Sequence, residues 1–95
     1  MQKALLIDAS SNKEIKVGIR IDKKEYEMRK KIGYQKAQVV LPMIDKLLRQ
    51  YVIGIRNLTS IQVNTGHGSF TGIRVGMSIA NALSFALKIP VRFEK

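Results

Sequence analysis

Asn64-Thr65-Gly66-His67-Gly68-Ser69-Phe70-Thr71-Gly72-Ile73-Arg74-Val75-Gly76 joins an apolar strand to an apolar helix through glycines. Before it, Leu58-Thr59-Ser60-Ile61-Gln62-Val63 reads as a short strand. After it, Met77 to Leu87 has almost no strongly polar residue, which predicts a buried helix. The glycines relax the backbone at the turn and let the helix approach a neighbour closely. Two uses fit such a turn. Free N–H groups at a helix start attract anions, and Ser69 or Thr71 could cap the helix or bond a ligand. Asp8, Ser10, Gly66, Gly68 and Ser69 are then the candidate phosphate or nucleotide loop. The other use is a tight strand-to-helix turn that only packs. No Gly-Lys-Ser/Thr follows, so the stretch is not a Walker loop.

Working outward, the 95 residues make one domain with a modest core, a size at which a partner adds usefully to stability. There is no cysteine, so disulfides and thiolate metal sites are excluded, and one histidine, His67, excludes most His-rich ones. His67 itself reads as a polar loop residue. No metal and no cofactor is expected. Ala4-Leu5-Leu6-Ile7 is too short for a signal peptide or a membrane span, which predicts a soluble, cytoplasmic chain with no membrane partner.

A net charge of +10 favours anionic partners such as RNA, nucleotides or an acidic protein face. The cations concentrate at Lys23, Lys24, Arg29, Lys30 and Lys31, flanked by Arg20 and Lys36, in what reads as a hairpin. This is either a solvated strand edge whose lysines discourage aggregation or an RNA-contacting patch. With few aromatic residues, a stacking platform for single strands is not expected.

Lys3 to Ile7, ending at Asp8, has the pattern of a central strand buried on both faces. Ile15, Val17, Ile19 and Ile21 alternate with Lys16, Gly18 and Arg20, a half-buried strand, and a third strand runs from Tyr26 to Lys31. Helical spacing follows Gly33, with Val40, Met43, Ile44, Leu47 and Tyr51 on one stripe and Leu41 and Leu48 beside it. Pro42 is expected in or near the first turn and Gly54 at the end. Pro90-Val91-Arg92-Phe93 closes the chain as a last strand. The order β-β-β-α-β-α-β predicts an α/β ribonuclease H-like lobe over residues 1–95: a mixed five-stranded sheet with two helices, strands four and five parallel to the first.

The second helix carries two apolar stripes, one with Ile73, Gly76, Met77 and Ala80 and one with Val75, Ile79, Ala82 and Ala86, spanning roughly 220°. A helix on one sheet needs about 100°. Either the first helix or another polypeptide covers the excess.

Three segments resemble the bacterial TsaB (YeaZ) family of tRNA threonylcarbamoyladenosine synthesis. They are Leu6-Ile7-Asp8-Ala9-Ser10, Val40-Leu41-Pro42-Met43-Ile44-Asp45-Lys46-Leu47-Leu48, and the glycine-rich run from Gly66 to Gly76. Asn81 to Val91 continues the likeness in register. The resemblance implies the first of two lobes of an actin-like protein, the second being absent from these 95 residues. It implies a non-catalytic subunit, with no catalytic residues of its own. Such a subunit pairs through its helices with a TsaD-like catalytic subunit and works with a TsaE-like ATPase, with a homodimer in isolation and tRNA contact as further options. Carried over residue by residue, the partner interface is Val40, Met43, Ile44, Leu47, Ile73, Met77 and Ala80. The family often has proline at His67, glycine at Asn64 and His-Ser at Lys36-Ala37. An enzyme of the same fold needs clustered carboxylates for divalent metals; Asp8 is well placed, but Asn64 stands where a further acid is expected.

Overall fold

Alternation decides the first half of the chain. In this computed structural model, which describes residues 2–32 and 36–94, β1 (Lys3–Asp8), β2 (Glu14–Ile21) and β3 (Lys24–Lys31) form an antiparallel meander. Leu5 lies opposite Ile19, and Val17 opposite Met28. The two-residue turn Asp22–Lys23 holds Asp22 at φ 55°, which aspartate tolerates better than most residues, and the Asp22 carboxylate accepts the Gln2 N–H at 3.2 Å.

Residues of period two put Leu5, Ile7, Ile15, Val17 and Ile19 on one face, where all are buried. Each such side chain contributes about 1.5–3 kcal/mol through removal from water. β1 is central in position, yet it is covered on one face only: Ala4 and Leu6 on the reverse are half-buried. The apolar run that reads as doubly buried is explained by Leu6, whose side chain lies over Gly18 on that open face.

α1 (Lys36–Gln50) lies mainly on β2 and buries Val40, Met43, Ile44, Leu47 and Leu48. It begins six residues before Pro42, so the proline stands in the second turn rather than the first. There it cannot donate to the Gln38 carbonyl. The helix stops at Gln50 rather than at Gly54, because Val52 turns the chain at φ 55°. Gly54 instead precedes a single 3₁₀ turn, Ile55–Asn57. The side chains of Lys36 and Ala37, and Gly33, lie outside the described residues.

β4 (Ser60–Asn64) runs parallel to β1, and β5 (Val91–Glu94) parallel to β4, giving the sheet order β3-β2-β1-β4-β5. The element order and parallel pairings match those expected from the sequence. α2 (Phe70–Leu87) lies beside α1 on the same face of the sheet, over β4. Gly76 sets the close approach: a Cβ there would come within 3.1 Å of Val63 Cγ2. At its C-terminus Lys88 adopts φ 58° and donates to the Ser84 carbonyl, and Pro90 prevents continuation.

α2 is not the buried helix its composition suggests. Only Gly72, Gly76 and Ala80 are buried, a stripe of small residues at i, i+4 and i+8 that rests on the sheet. α1 touches one flank and leaves the outer face open.

Candidate functional site

Two features of the lobe bear on function: the joint between the ends of β1, β4 and the glycine loop, and the uncovered side of α2. At the joint, Asp8 is the hub. Its Oδ1 accepts the N–H and hydroxyl of Ser10 at 3.0 and 2.5 Å, and its Oδ2 accepts Asn64 Nδ2 at 3.0 Å. Asn64 Oδ1 in turn accepts the Gly66 N–H at 2.9 Å. Burial pushes the Asp8 carboxyl up, but the Ser10 hydroxyl and N–H, the Asn64 amide and the charge of Lys16 outweigh it. Together they hold the group below its ordinary value of 3.8.

The far end of the loop is tied to the same place. Ser69 N–H donates to the Ser10 carbonyl at 2.6 Å, and Ser69 Oγ caps α2 by accepting the Gly72 N–H at 3.2 Å. Gly68 sits at φ 144°, where a Cβ would overlap the Ser10 carbonyl and come within 2.8 Å of Ser10 Cβ. Only glycine lets the loop lie so close to β1.

Asp8, Ser10, Gly66, Gly68 and Ser69, read from sequence as a phosphate cradle, are thus brought together. The donors of Ser10, Gly66 and Ser69 are engaged within the protein, and the ionised Asp8 carboxylate lies among them. The arrangement works as a clasp between two strands and a helix. His67 is exposed on the loop. Among the described residues no group of three potential metal-ligating side chains forms. Asn64, noted in the sequence for the acid it is not, is the amide that orients Asp8 against Gly66.

The sheet face opposite the helices is polar and carries a hollow of about 220 Å³ lined by Leu6, Asp8, Lys16, Gly18, Arg20 and Gln62 among others. Cross-strand pairs flank it, Lys16 with Glu27 and Arg20 with Glu25, and farther along the same face Arg29 pairs across to Glu14 and along its own strand to Glu27.

The basic hairpin is divided by the pleat. Arg29 and Lys31 share the open face with Glu25 and Glu27, while Lys24 and Lys30 stand on the helix side, opposite Ile21 and Ile15. Lys23 is in the turn. Arg29 is held by the hydrogen bond and charge of Glu27, and by Glu14, which raise its already high pKa. The five cations therefore do not form one patch.

The residues carried over as a partner interface are mostly unavailable. Val40, Met43, Ile44, Leu47 and Ala80 belong to the lobe's own core, because the apolar stripe of α1 covers β2 and Ala80 is in the small-residue stripe of α2 that rests on the sheet. Ile73 and Met77 are half-buried on α2. Three further apolar residues, none of them carried over as interface, are open to solvent on the two helices. Phe85 and Phe70 are 88% and 70% exposed on α2, and Leu41 is 50% exposed on α1. Arg74 lies over the Phe70 ring, 4.7 Å from its centre. A signal for the phenylalanines was present: Gly72, Gly76 and Ala80 mark the sheet side, and at 100° per residue Phe70 and Phe85 fall well away from it. By length and a mean hydropathy of 1.3, α2 would also suffice to cross a membrane, although here its glycine stripe rests on the sheet.

A mixed sheet ordered β3-β2-β1-β4-β5, with both helices on one face, defines a ribonuclease H-like lobe of the actin-like kind. YeaZ from Pseudomonas aeruginosa superposes with a TM-score of 0.89 at 28% identity, over 98% of this chain and 42% of that one. The TsaB proteins of Buchnera aphidicola subsp. Schizaphis graminum and of Haemophilus influenzae are 44% and 42% identical over 52 residues. That is 55% of this chain but only 25% and 22% of theirs. The model of the TsaD family, tRNA N6-adenosine threonylcarbamoyltransferase, matches residues 32–93. The chain belongs to that family, and within it to the TsaB (YeaZ) proteins.

Proposed function

We propose that this lobe serves tRNA threonylcarbamoyladenosine biosynthesis as a non-catalytic partner subunit, docking α2 and the neighbouring edge of α1 onto a TsaD-like catalytic subunit. The observation that carries the reading is the uncovered outer side of α2, where Phe70, Phe85, Ala82 and Ala86 face solvent on one helix, whereas the other exposed apolar side chains, such as Val52 and Phe93, stand apart from one another. Large aromatic side chains left exposed on a regular helix mark an association surface. In this reading half-buried Ile73 and Met77 on α2 and exposed Leu41 on α1 add to that surface.

Support for a non-catalytic role comes from the clasp, where both Asp8 oxygens accept hydrogen bonds that hold the fold together. The names of the relatives, TsaB biosynthesis proteins and a threonylcarbamoyltransferase of Nitrosospira multiformis, supply the pathway. A TsaE-like ATPase joins the assembly in this reading. In the absence of a TsaD-like chain the same surface pairs two copies of the lobe. Direct tRNA binding by the hairpin is the weaker alternative, because the pleat separates its cations and Glu14 and Glu27 engage Arg29.

The test mixes the chain with the TsaD homologue of its own organism and measures complex mass and tRNA modification. Phe85→Glu is expected to abolish the complex with the fold retained by circular dichroism. A complex that survives both Phe85→Glu and Phe70→Glu refutes the assignment of the surface.

A further inference from the structure

On the side of α1 away from α2, a trough of about 380 Å³ runs between the helix and the outer strand β3. Its floor is apolar, from Met28, Val39, Pro42 and Met43, and Lys30 and Lys46 stand exposed on its walls. Tyr26 and Tyr51, stacked with ring centres 4.5 Å apart, lie toward the C-terminal end of α1. Among the described residues neither Lys30 nor Lys46 makes an ion pair, in contrast to Arg29. Among the described residues no acid lines the trough.

The strand bordering this trough is an edge strand, paired on one side only. Antiparallel pairing alternates between residues that bond their neighbour and residues that point away. Ile32 N–H donates to the Lys13 carbonyl, and Asp22 N–H to the Gln2 carbonyl. Those two bonds fix the phase on both sides of β2, so Tyr26, Met28 and Lys30 bond to β2 while Glu25, Glu27, Arg29 and Lys31 direct their N–H and C=O groups outward. On the opposite wall, Pro42 leaves the Gln38 carbonyl without its helical donor, and both residues line the trough.

We propose that this trough binds an extended acidic segment of another protein, which adds to β3 as a sixth strand. The outward groups of β3 supply main-chain hydrogen bonds. Side chains of the added strand that point to the helix side enter the trough, where an apolar one meets Met28, Val39 and Met43 and its acidic neighbours meet Lys30 and Lys46. The chemistry favours a peptide over RNA, since an apolar floor offers phosphate nothing and, among the described residues that line it, no aromatic ring is there to stack on a nucleobase.

The probe is a fluorescein-labelled, acetylated heptapeptide in which threonines alternate with glutamate, leucine and glutamate, titrated with the intact chain and followed by anisotropy. Binding is expected to weaken about tenfold on Lys30→Glu and again on Lys46→Glu, with circular dichroism unchanged. Arg92→Glu, which alters net charge equally on the opposite edge of the sheet, leaves it within about twofold. A peptide N-methylated on the amides that face β3 loses binding. The proposal is overturned if the peptide does not bind, if N-methylation has no effect, or if Arg92→Glu weakens it as much as Lys30→Glu. It is overturned equally if tRNA, but not the unlabelled heptapeptide, displaces the probe.

Discussion

Replacing Gly68 by alanine tests whether the clasp holds the glycine loop to β1. An L side chain at φ 144° costs about 1–3 kcal/mol in backbone strain. Its Cβ also overlaps the Ser10 carbonyl, whose oxygen accepts the Ser69 N–H at 2.6 Å. Moving that carbonyl away forfeits the bond, about 1 kcal/mol net. The sum is about 3 kcal/mol, which in a chain of this size lowers Tm by about 12–24 °C. Gly54→Ala is the matched control. Gly54 lies at φ −72° and ψ 141°, and an added Cβ makes only ordinary contact with Asn57 Nδ2 at 3.5 Å. That substitution is expected to stabilise by about 0.4–1 kcal/mol by restricting the unfolded chain. Urea unfolding followed by far-ultraviolet circular dichroism reads both. If Gly68→Ala falls within about 0.5 kcal/mol of wild type, the loop is not held as described and the clasp reasoning fails.

Gly76→Ala crowds the fully buried Val63 at 3.1 Å, a strain that offsets the roughly 1 kcal/mol alanine gains within a helix, so stability is expected to stay within about 1 kcal/mol of wild type in the same unfolding assay. Leu47→Glu buries a charge in the core and is expected to cost more than about 4 kcal/mol, so it unfolds the lobe instead of merely severing a partner, as the circular dichroism spectrum would show. Phe85→Ser, by contrast, alters stability by less than about 0.5 kcal/mol and reduces any self-association seen by sedimentation. The lowered Asp8 pKa favours the folded state above the unfolded value of 3.8. That contribution fades as pH falls through the lower folded pKa. Acid unfolding below pH 3.8 should therefore be less steep in Asp8→Asn than in wild type.

The order of strands and helices was legible because period-two and helical patterns change abruptly at Gly33 and at the glycine run, and because Ile15 to Ile21 admits only one inward face. What composition could not resolve was the division of apolar residues between the lobe's interior and its association surface. Leu47 and Phe85 are both apolar and both on helices, yet one is sealed against β2 and the other is in solvent. The distinction depends on which side of each helix meets the sheet. For α2 that side is marked by an absence of bulk at Gly72, Gly76 and Ala80 rather than by large residues. The place of Pro42 within α1 is hard to read for a related reason. Proline favours the first turn, yet here it stands in the second, at the lobe's surface. Asp8 was recognisable as a strand-end acid, but its partners Ser10 and Asn64 come together only when β1 and β4 pair.

That pairing gives β1 a divided allegiance with consequences for how the protein is made. On one side it zips to β2 through a short hairpin. On the other it waits for β4, with Asn64 reaching Asp8 across 56 residues. Loop closure over that span is slower than closure of the hairpins. A chain that has formed the meander but not yet brought in β4 leaves one margin of β1 without a strand beside it. An unpaired margin of that kind is where a strand from another chain can add in error.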